Sequence, residues 1–423
     1  MIPRHLAARV RRALADRPVV LLHGARQVGK TTLTRALAGA TPVRQYVTFD
    51  DLTAMAAARG DPAGFLAGLG RRAVLDEVQR VPELFEAIKA AVDRERRPGR
   101  FLLTGSANVL MLPDLSAALV GRMEIATLWP FSQGEIAGVM EGFIDAAFGA
   151  APPTLESSTT GPSLIDRVLG GGFPEAVAMA SAERRGAWFE AYLTTLLSRD
   201  VRDLARIEGL AELPRLLALI AARPMALLNH AELVRSAGLA PSTLKRYFAL
   251  LEAVFLVRTL APWHVNLGKR LVKTPKVLLV DSGLAAHLMG LDAARVRSDR
   301  TTFGGLLESF VTMEILKQVG WSATAPALYH FRSHAGDEVD LVLERRSGPL
   351  VGIEVKSAAS VTASDFRGLR ALEEATGRRF HRGLVLYAGS EVIPFGPRLF
   401  AAPVEALWRW GARAASETHR SRQ

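Results

Sequence analysis

Residues 24–31 read Gly24-Ala25-Arg26-Gln27-Val28-Gly29-Lys30-Thr31. This stretch matches the phosphate-binding loop pattern G-x-x-x-x-G-K-[ST] at every fixed position. The continuous apolar run at 19–23 predicts a buried parallel strand before the loop, and residues 32–38 predict a helix after it. A strand, a glycine loop and a helix in this order predict an α/β domain with a parallel sheet that binds a nucleotide.

The residue types in this loop suit phosphate binding. Glycines let the backbone wrap around a phosphate, and the N–H groups that open the helix point at it. We expect Lys30 to reach the β- and γ-phosphates of ATP, and the Thr31 hydroxyl to bind Mg²⁺. The expected nucleotide-binding residues are Gly24, Gln27, Val28, Gly29, Lys30, Thr31 and Thr32.

The composition is that of a globular protein without cysteine. The chain has 423 residues, a length sufficient for roughly two to four domains. Of these residues, 49% are hydrophobic and 22% are charged. It has no apolar run of 18 residues and no signal-peptide pattern at its start, so we expect no membrane segment and a cytoplasmic location. The absence of cysteine excludes disulfides and thiolate metal sites.

The net charge of +11 favours a nucleic acid as partner. Only 8 of the 53 basic residues are lysines, so a bias in genome composition is an alternative cause of the charge. The basic excess lies in residues 1–130 and 184–300, whereas residues 131–183 are acidic. A cationic surface is therefore expected on the nucleotide-binding part and on the middle of the chain.

A second motif follows about 45 residues after the loop. The short apolar run at 73–75 predicts a strand, and it ends in Asp76-Glu77. We expect Asp76 to hold the Mg²⁺ shell and Glu77 to orient and deprotonate the water that attacks ATP. The alternative is an ordinary strand end with a salt bridge.

Two further positions are candidates for contact with the γ-phosphate. The fourth predicted strand of the chain, at 100–104, leads into Ser106 and Asn108. Either side chain can serve as a sensor of the phosphate or simply cap the next helix. Arg122 precedes a fifth strand and can stabilise charge in the transition state, in its own or a neighbouring subunit. A plain surface arginine is the alternative, and a homo-oligomer is left open as a partner.

Five stretches resemble the AAA-type, AAA+-like P-loop ATPase domain of a large prokaryotic family. They are GARQVGKTTL (24–33), VLDEVQRVPELF (74–85), LLTGSAN (102–108), LVGR (119–122) and WPFSQGEI (129–136). Members of this family join that domain to an uncharacterised C-terminal region, and GGFPEAV (171–177) and YLTTLLSRDVRDL (192–204) resemble its start. The resemblance implies ATP and Mg²⁺ as cofactors and ATP hydrolysis as the activity.

The motifs and the composition divide the chain into four parts. We expect an AAA-type ATPase domain over 1–149, a linker over 150–163, a helical and winged-helix-like domain over 164–300, and a nuclease-like domain over 301–423. The linker is predicted from its run of proline, serine and threonine.

The middle part contains a pattern typical of helix-turn-helix DNA recognition. A short helix at 229–237 is closed by glycine, and a second helix follows a Ser-Thr cap. The basic segment 268–276 is expected to form a wing that reaches phosphates. The alternative is that such a fold only packs domains together. The expected nucleic-acid contacts are Lys245, Arg246, Lys269, Arg270 and Lys273.

The last part holds a second group of charged residues. A helix carries Glu308, and a predicted hairpin places Asp340 opposite Glu354 and Lys356, which share one face of a strand. This order of helix and strands is similar to the PD-(D/E)xK nuclease superfamily, a restriction-endonuclease-like α/β fold. The resemblance implies Mg²⁺ held by Glu308, Asp340 and Glu354, with Asp340, Glu354 and Lys356 as catalytic residues.

Two functions from different classes remain. The first is ATP-dependent binding and processing of DNA, with Mg²⁺-dependent cleavage by the last domain left open. The alternative is an ATP-gated regulatory or signalling switch, in which the nuclease-like domain is a docking module without catalysis. Salt-dependent binding of DNA favours the first function.

Overall fold

The structure is a computed structural model, and by their contacts the described residues form two compact units. The N-terminal unit comprises residues within 4–130 and 249–256, and the C-terminal unit comprises residues within 1–3, 131–248 and 257–423. The predicted four-part division stays a prediction. The structure describes residues 2–39, 44–107, 121–155, 159, 161–201, 212–266, 268, 270, 274–333, 335–346 and 348–414.

The N-terminal unit is a sheet flanked by helices. Its strands are β1 (Val19–His23), β2 (Gln45–Thr48), β3 (Ala73–Asp76), β4 (Phe101–Gly105) and β5 (Met123–Thr127). Its helices are α1 (Leu6–Asp16), α2 (Lys30–Ala38), α3 (Leu52–Gly60), α4 (Pro62–Gly68) and α5 (Leu84–Arg94), with a 3-10 turn at Val78–Arg80.

All five strands of this sheet are parallel. Their order is β2-β3-β4-β1-β5, so β4 is inserted between β3 and β1. The carboxyl ends of the strands therefore lie along one edge of the sheet, which is where ligands bind in open α/β sheets. The insertion brings the end of β4 beside both the Asp76 end of β3 and the loop after β1.

The core of this unit explains why the apolar runs become strands. Leu21, Leu75 and Leu103 are fully buried and belong to one cluster with Phe85 and Ile88 of α5. A strand covered on both faces reads as a continuous apolar run, as predicted for 19–23. The predicted α/β class with a parallel sheet is confirmed.

The C-terminal unit contains helices both before and within its sheet region. Its helices are α6 (Gln133–Ala137), α7 (Phe143–Ala147), α8 (Gly161–Gly170), α9 (Pro174–Ala178), α10 (Ala182–Thr195), α11 (Leu213–Ala221), α12 (His230–Ala237), α13 (Pro241–Ala253, which runs into the N-terminal unit at 249), α14 (Ser282–Leu288), α15 (Ala293–Ser298), α16 (Arg300–Val319), α17 (Arg367–Thr376) and α18 (Ala406–Arg409). Shorter turns are the π-helical Leu196–Asp200 and the 3-10 segments Ala363–Phe366 and Gly377–Arg379.

A mixed sheet of six strands forms the rest of this unit. Its strands are β9 (Ala327–Arg332), β10 (Glu338–Glu344), β11 (Leu350–Lys356), β12 (Phe380–Tyr387), β13 (Ile393–Pro394) and β14 (Leu399–Pro403), in the order β13-β14-β12-β11-β10-β9. The predicted hairpin is the antiparallel pair β10–β11, whereas β11, β12 and β14 are parallel. Two strand pairs stand apart from it: β6 (Val139–Met140) with β15 (Arg413–Ala414), and β7 (Val257–Leu260) with β8 (Lys276–Leu279).

Within the described ranges, no helix combines the length and the apolar character that crossing a membrane requires.

Candidate functional site

The phosphate-loop sequence connects β1 to α2 at the carboxyl edge of the parallel sheet. Gly24 has φ 152° and Gly29 has φ 92°, and Gln27 between them has φ 61°. A Cβ atom at position 24 would lie 2.1 Å from the carbonyl oxygen of Leu128, so only glycine fits this close approach of two backbones. Thr32 follows in the first turn of α2, where the N–H groups have no partner inside the helix.

The lysine of the loop is buried and held in place by the loop itself. Lys30 is 5% exposed, and its Nζ donates to the carbonyl oxygens of Gly24 at 3.0 Å and Ala25 at 2.8 Å. The guanidinium of Arg4 donates to the carbonyl oxygen of Val28 at 2.6 Å. The loop is therefore braced from inside by Lys30 and from outside by Arg4.

Three hydroxyl groups surround the carboxylate of Asp76 at the end of β3. Thr31 Oγ1 donates to Asp76 Oδ2 at 3.1 Å, the Tyr46 hydroxyl donates to the same oxygen, and Thr104 Oγ1 donates to Asp76 Oδ1. Burial, and then the hydrogen bond to Asp76, raise the pKa of Tyr46 to about 12, so this hydroxyl stays protonated. A carboxylate beside a threonine hydroxyl is the oxygen donor set that Mg²⁺ prefers, so Thr31 and Asp76 fit this cation.

Glu77 is held in an unusual backbone conformation. Its φ is 59°, a left-handed value that costs a residue other than glycine about 1–3 kcal/mol. Its backbone N–H donates to Thr104 Oγ1 at 2.9 Å, and its Oε2 accepts from Ser106 Oγ at 2.8 Å and from the amide of Gln79. Ser106 therefore lies beside the predicted base, and Asn108 is outside the described residues.

Sequence reasoning missed Tyr46, Thr104, Gln79 and Arg4. Thr104 did carry a signal, because it is a polar residue in an otherwise apolar strand and is fully buried. Such a hydroxyl is expected to have a specific partner. Gln79 lies only two residues after Glu77, within the stretch 74–85. Tyr46 and Arg4 are brought to the site by tertiary packing, and their local sequence gives no sign of it.

Arg122 lies at the opposite edge of the sheet from the phosphate loop. It directly precedes Met123, which pairs with Val19 at the start of β1, whereas the loop follows the end of β1. Its guanidinium donates to both carboxylate oxygens of Asp93, at 2.6 and 2.9 Å. The prediction that Arg122 contacts the nucleotide is therefore corrected for its own subunit, because a full strand separates the two sites.

The expected nucleic-acid contacts differ in their exposure to solvent. Lys245 and Arg246 are exposed on α13, which follows the turn at Gly238, φ 70°. Arg270 has a side chain only 9% exposed, and it donates to both oxygens of Glu344 at 2.5 and 3.1 Å. Its charge is thus engaged inside the protein instead of facing solvent. Lys269 and Lys273 lie outside the described residues.

The charged residues predicted for the C-terminal part meet around Asp340, together with a lysine that was expected elsewhere. Lys276 Nζ donates to Glu308 Oε1 at 2.6 Å and to Asp340 Oδ1 at 3.3 Å. The other oxygen of Asp340 accepts from the backbone N–H of Val355 at 2.9 Å. Lys276 ends the basic segment that was predicted to be a wing, so this ammonium is buried among carboxylates and does not reach phosphates.

Glu354 and Lys356 form a second pair on β11. Lys356 Nζ donates to Glu354 Oε1 at 2.9 Å, and no described group bonds the buried Glu354 Oε2. Burial, and then the charge of Asp340, raise the pKa of Glu354 to about 7 and that of Glu308 well above its ordinary range. Burial alone would lower the pKa of Lys276, but the charges of Glu308 and Asp340 outweigh it and raise that pKa.

This cluster does not fit a divalent cation. Among the described residues, no group of three or more acidic or histidine side chains is placed to hold a metal ion. The positive charge between Glu308 and Asp340 is already supplied by Lys276 at hydrogen-bond distance. The prediction that Glu308, Asp340 and Glu354 converge on a metal is therefore corrected, because a lysine compensates the carboxylates.

Comparison with protein families divides the chain into three matched regions. Residues 16–137 match the family described as an AAA domain. Residues 161–295 and 303–407 match two domains of unknown function, DUF8612 and DUF4143.

Similar solved structures come from Thermotoga maritima and Pyrococcus horikoshii. The Thermotoga maritima RuvB Holliday junction branch migration motor is 22% identical, and the match covers 60% of this chain and 84% of that one, with a TM-score of 0.28. A signal transduction ATPase with numerous domains from Pyrococcus horikoshii is 11% identical, and the match covers 76% and 47%, with a TM-score of 0.20. At these TM-scores neither likeness supports an argument about fold or function.

Relatives match over almost the whole length. An uncharacterized protein from Mycobacterium bovis and one from Mycobacterium tuberculosis are each 33% identical over 411 residues, which is 97% of this chain and 85% of theirs. The chain therefore belongs to the same family as these two mycobacterial proteins, and its N-terminal part is an AAA-type ATPase domain.

Proposed function

We propose that the N-terminal unit binds ATP with Mg²⁺ at the phosphate loop and hydrolyses it with Glu77 as the base. The observation that carries this proposal is the contact between Thr31 Oγ1 and Asp76 Oδ2, 3.1 Å apart, which joins the loop to the end of β3. Glu77 follows Asp76 directly, and its carboxylate accepts hydrogen bonds from Ser106 and Gln79.

In this proposal each residue has one task. Lys30 leaves the carbonyl oxygens of the loop and neutralises the β- and γ-phosphates, while the loop N–H groups orient them. Thr31 and Asp76 hold Mg²⁺, which supplies charge stabilisation of the phosphates when bound. Glu77 accepts a proton from the attacking water, and Ser106 keeps its carboxylate turned toward that water.

Two substitutions separate binding from hydrolysis. Lys30→Ala is expected to abolish ATP binding, measured with a fluorescent ATP analogue. Glu77→Gln is expected to keep binding and lose hydrolysis, measured as phosphate release. The control is Lys89→Ala, which removes an exposed lysine of the same unit that pairs with Glu86. Hydrolysis at the wild-type rate by Glu77→Gln would reject Glu77 as the base.

We propose that the chain uses this ATPase to act on DNA. The support is the exposed pair Lys245 and Arg246 on α13, directly after a helix and a turn of the kind that enters DNA grooves. Because phosphate contacts release counterions, binding of this kind weakens steeply with salt. The test compares ATP hydrolysis with single-stranded, duplex, forked and four-way DNA, and with the double variant Lys245→Ser and Arg246→Ser. Equal rates with and without every DNA form would reject the proposal.

The cluster around Asp340 favours the second candidate function, an ATP-gated switch in which the C-terminal unit docks a partner and cuts nothing. The nuclease resemblance implies Mg²⁺-dependent cleavage, but Lys276 already neutralises the carboxylates that would have to bind the metal. The same DNA panel with Mg²⁺ or Mn²⁺ decides between them. Cleavage by the wild type that is lost in Asp340→Asn and Lys356→Ala would establish the nuclease, whereas intact DNA at every metal concentration supports docking.

A further inference from the structure

The edge of the parallel sheet that faces away from the phosphate loop is lined with arginine. The first residues of all five strands lie in one row, because Gln45, Ala73, Phe101, Val19 and Met123 pair in register across the sheet. Each strand is preceded by an arginine within two positions. These residues are Arg17, Arg44, Arg72, Arg100 and Arg122.

The positive charge of this edge exceeds what its carboxylates compensate. With the neighbouring Arg71, Arg94, Arg96 and Arg97, the edge holds nine arginines against the four carboxylates of Asp16, Asp93, Glu95 and Glu124, a net charge of +5. Arg44 is buried and donates to the carbonyl oxygen of Gly99, so it does not face solvent. Ion pairs also engage part of the edge: Arg17 with Glu124, Arg97 and Arg100 with Glu95, and Arg122 with Asp93. In the described part of the chain, Arg71, Arg72, Arg94 and Arg96 have no carboxylate within 4.0 Å.

Two open cavities lie along this edge, and arginine lines both. The first has a volume of about 520 Å³ and is lined by Gln45, Gly70, Arg71, Arg72 and Arg97. The second has a volume of about 310 Å³ and is lined by Val92, Asp93, Arg96, Gly121 and Arg122. Arg96 of the second cavity and Arg97 of the first are consecutive in the chain.

We infer that this arginine edge is a second binding surface, which holds the sugar-phosphate backbone of DNA; the inference rests on the proposed action on DNA. Guanidinium groups bind phosphate oxygens through two parallel hydrogen bonds. Five strands at a spacing of about 4.8 Å make a row of about 19 Å, which matches about five or six base-pair steps of 3.4 Å.

Two features separate this surface from other anion sites. Membrane binding gains strength from apolar side chains that insert beside basic ones. The large apolar side chains that are exposed in the described residues are Leu52, Val265 and Ile393, none of which precedes a strand of this sheet. The strands of four or five residues hold the edge about 13–17 Å from the phosphate loop, so DNA and ATP can bind at the same time.

The experiment compares two triple variants of the full chain. The test variant is Arg71→Ser, Arg72→Ser and Arg96→Ser. The control is Arg345→Ser, Arg346→Ser and Arg378→Ser, which removes the same charge from exposed positions of the other unit. Binding of a labelled duplex is measured by fluorescence anisotropy at several salt concentrations, and thermal unfolding checks that both variants are folded.

The test variant is expected to bind at least tenfold more weakly at 0.1 M salt, with a salt slope flatter by up to about 2.7, since each lost contact contributes about 0.9. The control is expected to keep the wild-type affinity and slope. Wild-type affinity and salt slope in the test variant would overturn the inference. If the double variant Lys245→Ser and Arg246→Ser weakens binding in the same assay, the proposed action on DNA survives that result. No DNA binding by the wild type would reject both. Loss of binding to vesicles with anionic lipid, with DNA binding unchanged, would reassign the edge to a membrane.

Discussion

At the scale of single residues, Thr104 connects the two acidic residues of the candidate ATPase site. Its hydroxyl donates to Asp76 and accepts from the backbone N–H of Glu77, so one buried oxygen orients both side chains. A hydroxyl can donate one hydrogen bond and accept two, and the Thr104 hydroxyl both donates and accepts here. Thr104 is thus a positioning residue that touches neither ATP nor water in our proposal.

Replacing this hydroxyl with a methyl group tests its role. Thr104→Val keeps the shape of the side chain but leaves the Glu77 N–H without its partner, which costs about 1–3 kcal/mol. Because Glu77 is then held less firmly, we also expect kcat for ATP to fall about tenfold, as when about 1.4 kcal/mol of transition-state stabilisation is lost, with the Kd for ATP almost unchanged. The matched control is Thr34→Val, another fully buried threonine, whose hydroxyl bonds the carbonyl oxygen of Lys30 within α2. Equal losses in both variants would assign the effect to general packing.

Lys276 supplies the positive charge that stabilises the carboxylates of Glu308 and Asp340 without metal. Lys276→Met keeps the length of the side chain but removes the charge between Glu308 and Asp340, and breaking a buried ion pair costs about 3–5 kcal/mol at neutral pH. The loss is expected to shrink at pH 5. The raised pKa values of Glu308 and Glu354 mean that both take up protons as the pH falls from 7, which removes the repulsion between carboxylates.

The same variant reports on metal binding. With Lys276 gone, Mg²⁺ or Mn²⁺ can compensate the carboxylates, so we expect either cation to raise the unfolding temperature of Lys276→Met more than that of the wild type. The measurement is thermal unfolding with metal or with EDTA, at pH 5 and pH 7.5. Equal stabilisation of the wild type and the variant by metal would contradict our account that Lys276 supplies the positive charge of this cluster.

At the scale of elements, the phosphate loop depends on the strand that runs beside it. Leu128, directly after β5, donates its N–H to the carbonyl oxygen of His23 at 2.8 Å, and its carbonyl oxygen fills the space where a Cβ of residue 24 would be. The loop therefore takes its shape from a segment about 100 residues later in the chain.

Gly24→Ala tests this close approach. The added Cβ would meet a backbone oxygen at 2.1 Å, so β5 and the loop must separate, and overpacking of this kind costs about 1–3 kcal/mol or more. We expect a lower unfolding temperature and at least a tenfold loss of ATP affinity. Gly68→Ala at the end of α4 is the control, because a Cβ there meets nothing within 4 Å, and its unfolding temperature should not fall. A variant of position 24 that binds ATP normally would show that the loop shape does not need this contact.

The elements were more predictable from sequence than the contacts between them. The apolar run 19–23, the strand that ends at Asp76 and the hairpin of β10 and β11 were predicted because burial and pairing leave periodic patterns in the local sequence. The contacts of Tyr46 with Asp76 and of Lys276 with Glu308 join residues about 30 positions apart. No local pattern encodes such a meeting, and for this reason Arg270 was expected at the surface although Glu344 binds it.

At the scale of the whole molecule, Arg122 connects the candidate site to the question of assembly. It stands at the far edge of its own sheet, so it can act on transition-state charge only in a neighbouring subunit. We propose that the active form is a homo-oligomer in which the Arg122 of one subunit leaves Asp93 and completes the ATP site of the next. Arg122 precedes β5, the last strand in the sheet order, so the solvent-facing arginines before the other four strands remain available to DNA. Such an arginine contributes about 10³–10⁵ to the rate.

Mixing two inactive variants tests this assembly. Arg122→Ala keeps an intact loop and base, and Lys30→Ala keeps Arg122, so each alone should hydrolyse ATP at least about 10³-fold more slowly than the wild type. In an equimolar mixture that exchanges subunits, about a quarter of the interfaces between subunits pair an intact loop with an intact arginine, so about a quarter of the wild-type rate should return. Lys30→Ala mixed with Glu77→Gln is the control, because no subunit then has both the lysine and the base, and no rate should return. Wild-type hydrolysis by Arg122→Ala alone would reduce this arginine to the surface ion pair that it forms with Asp93.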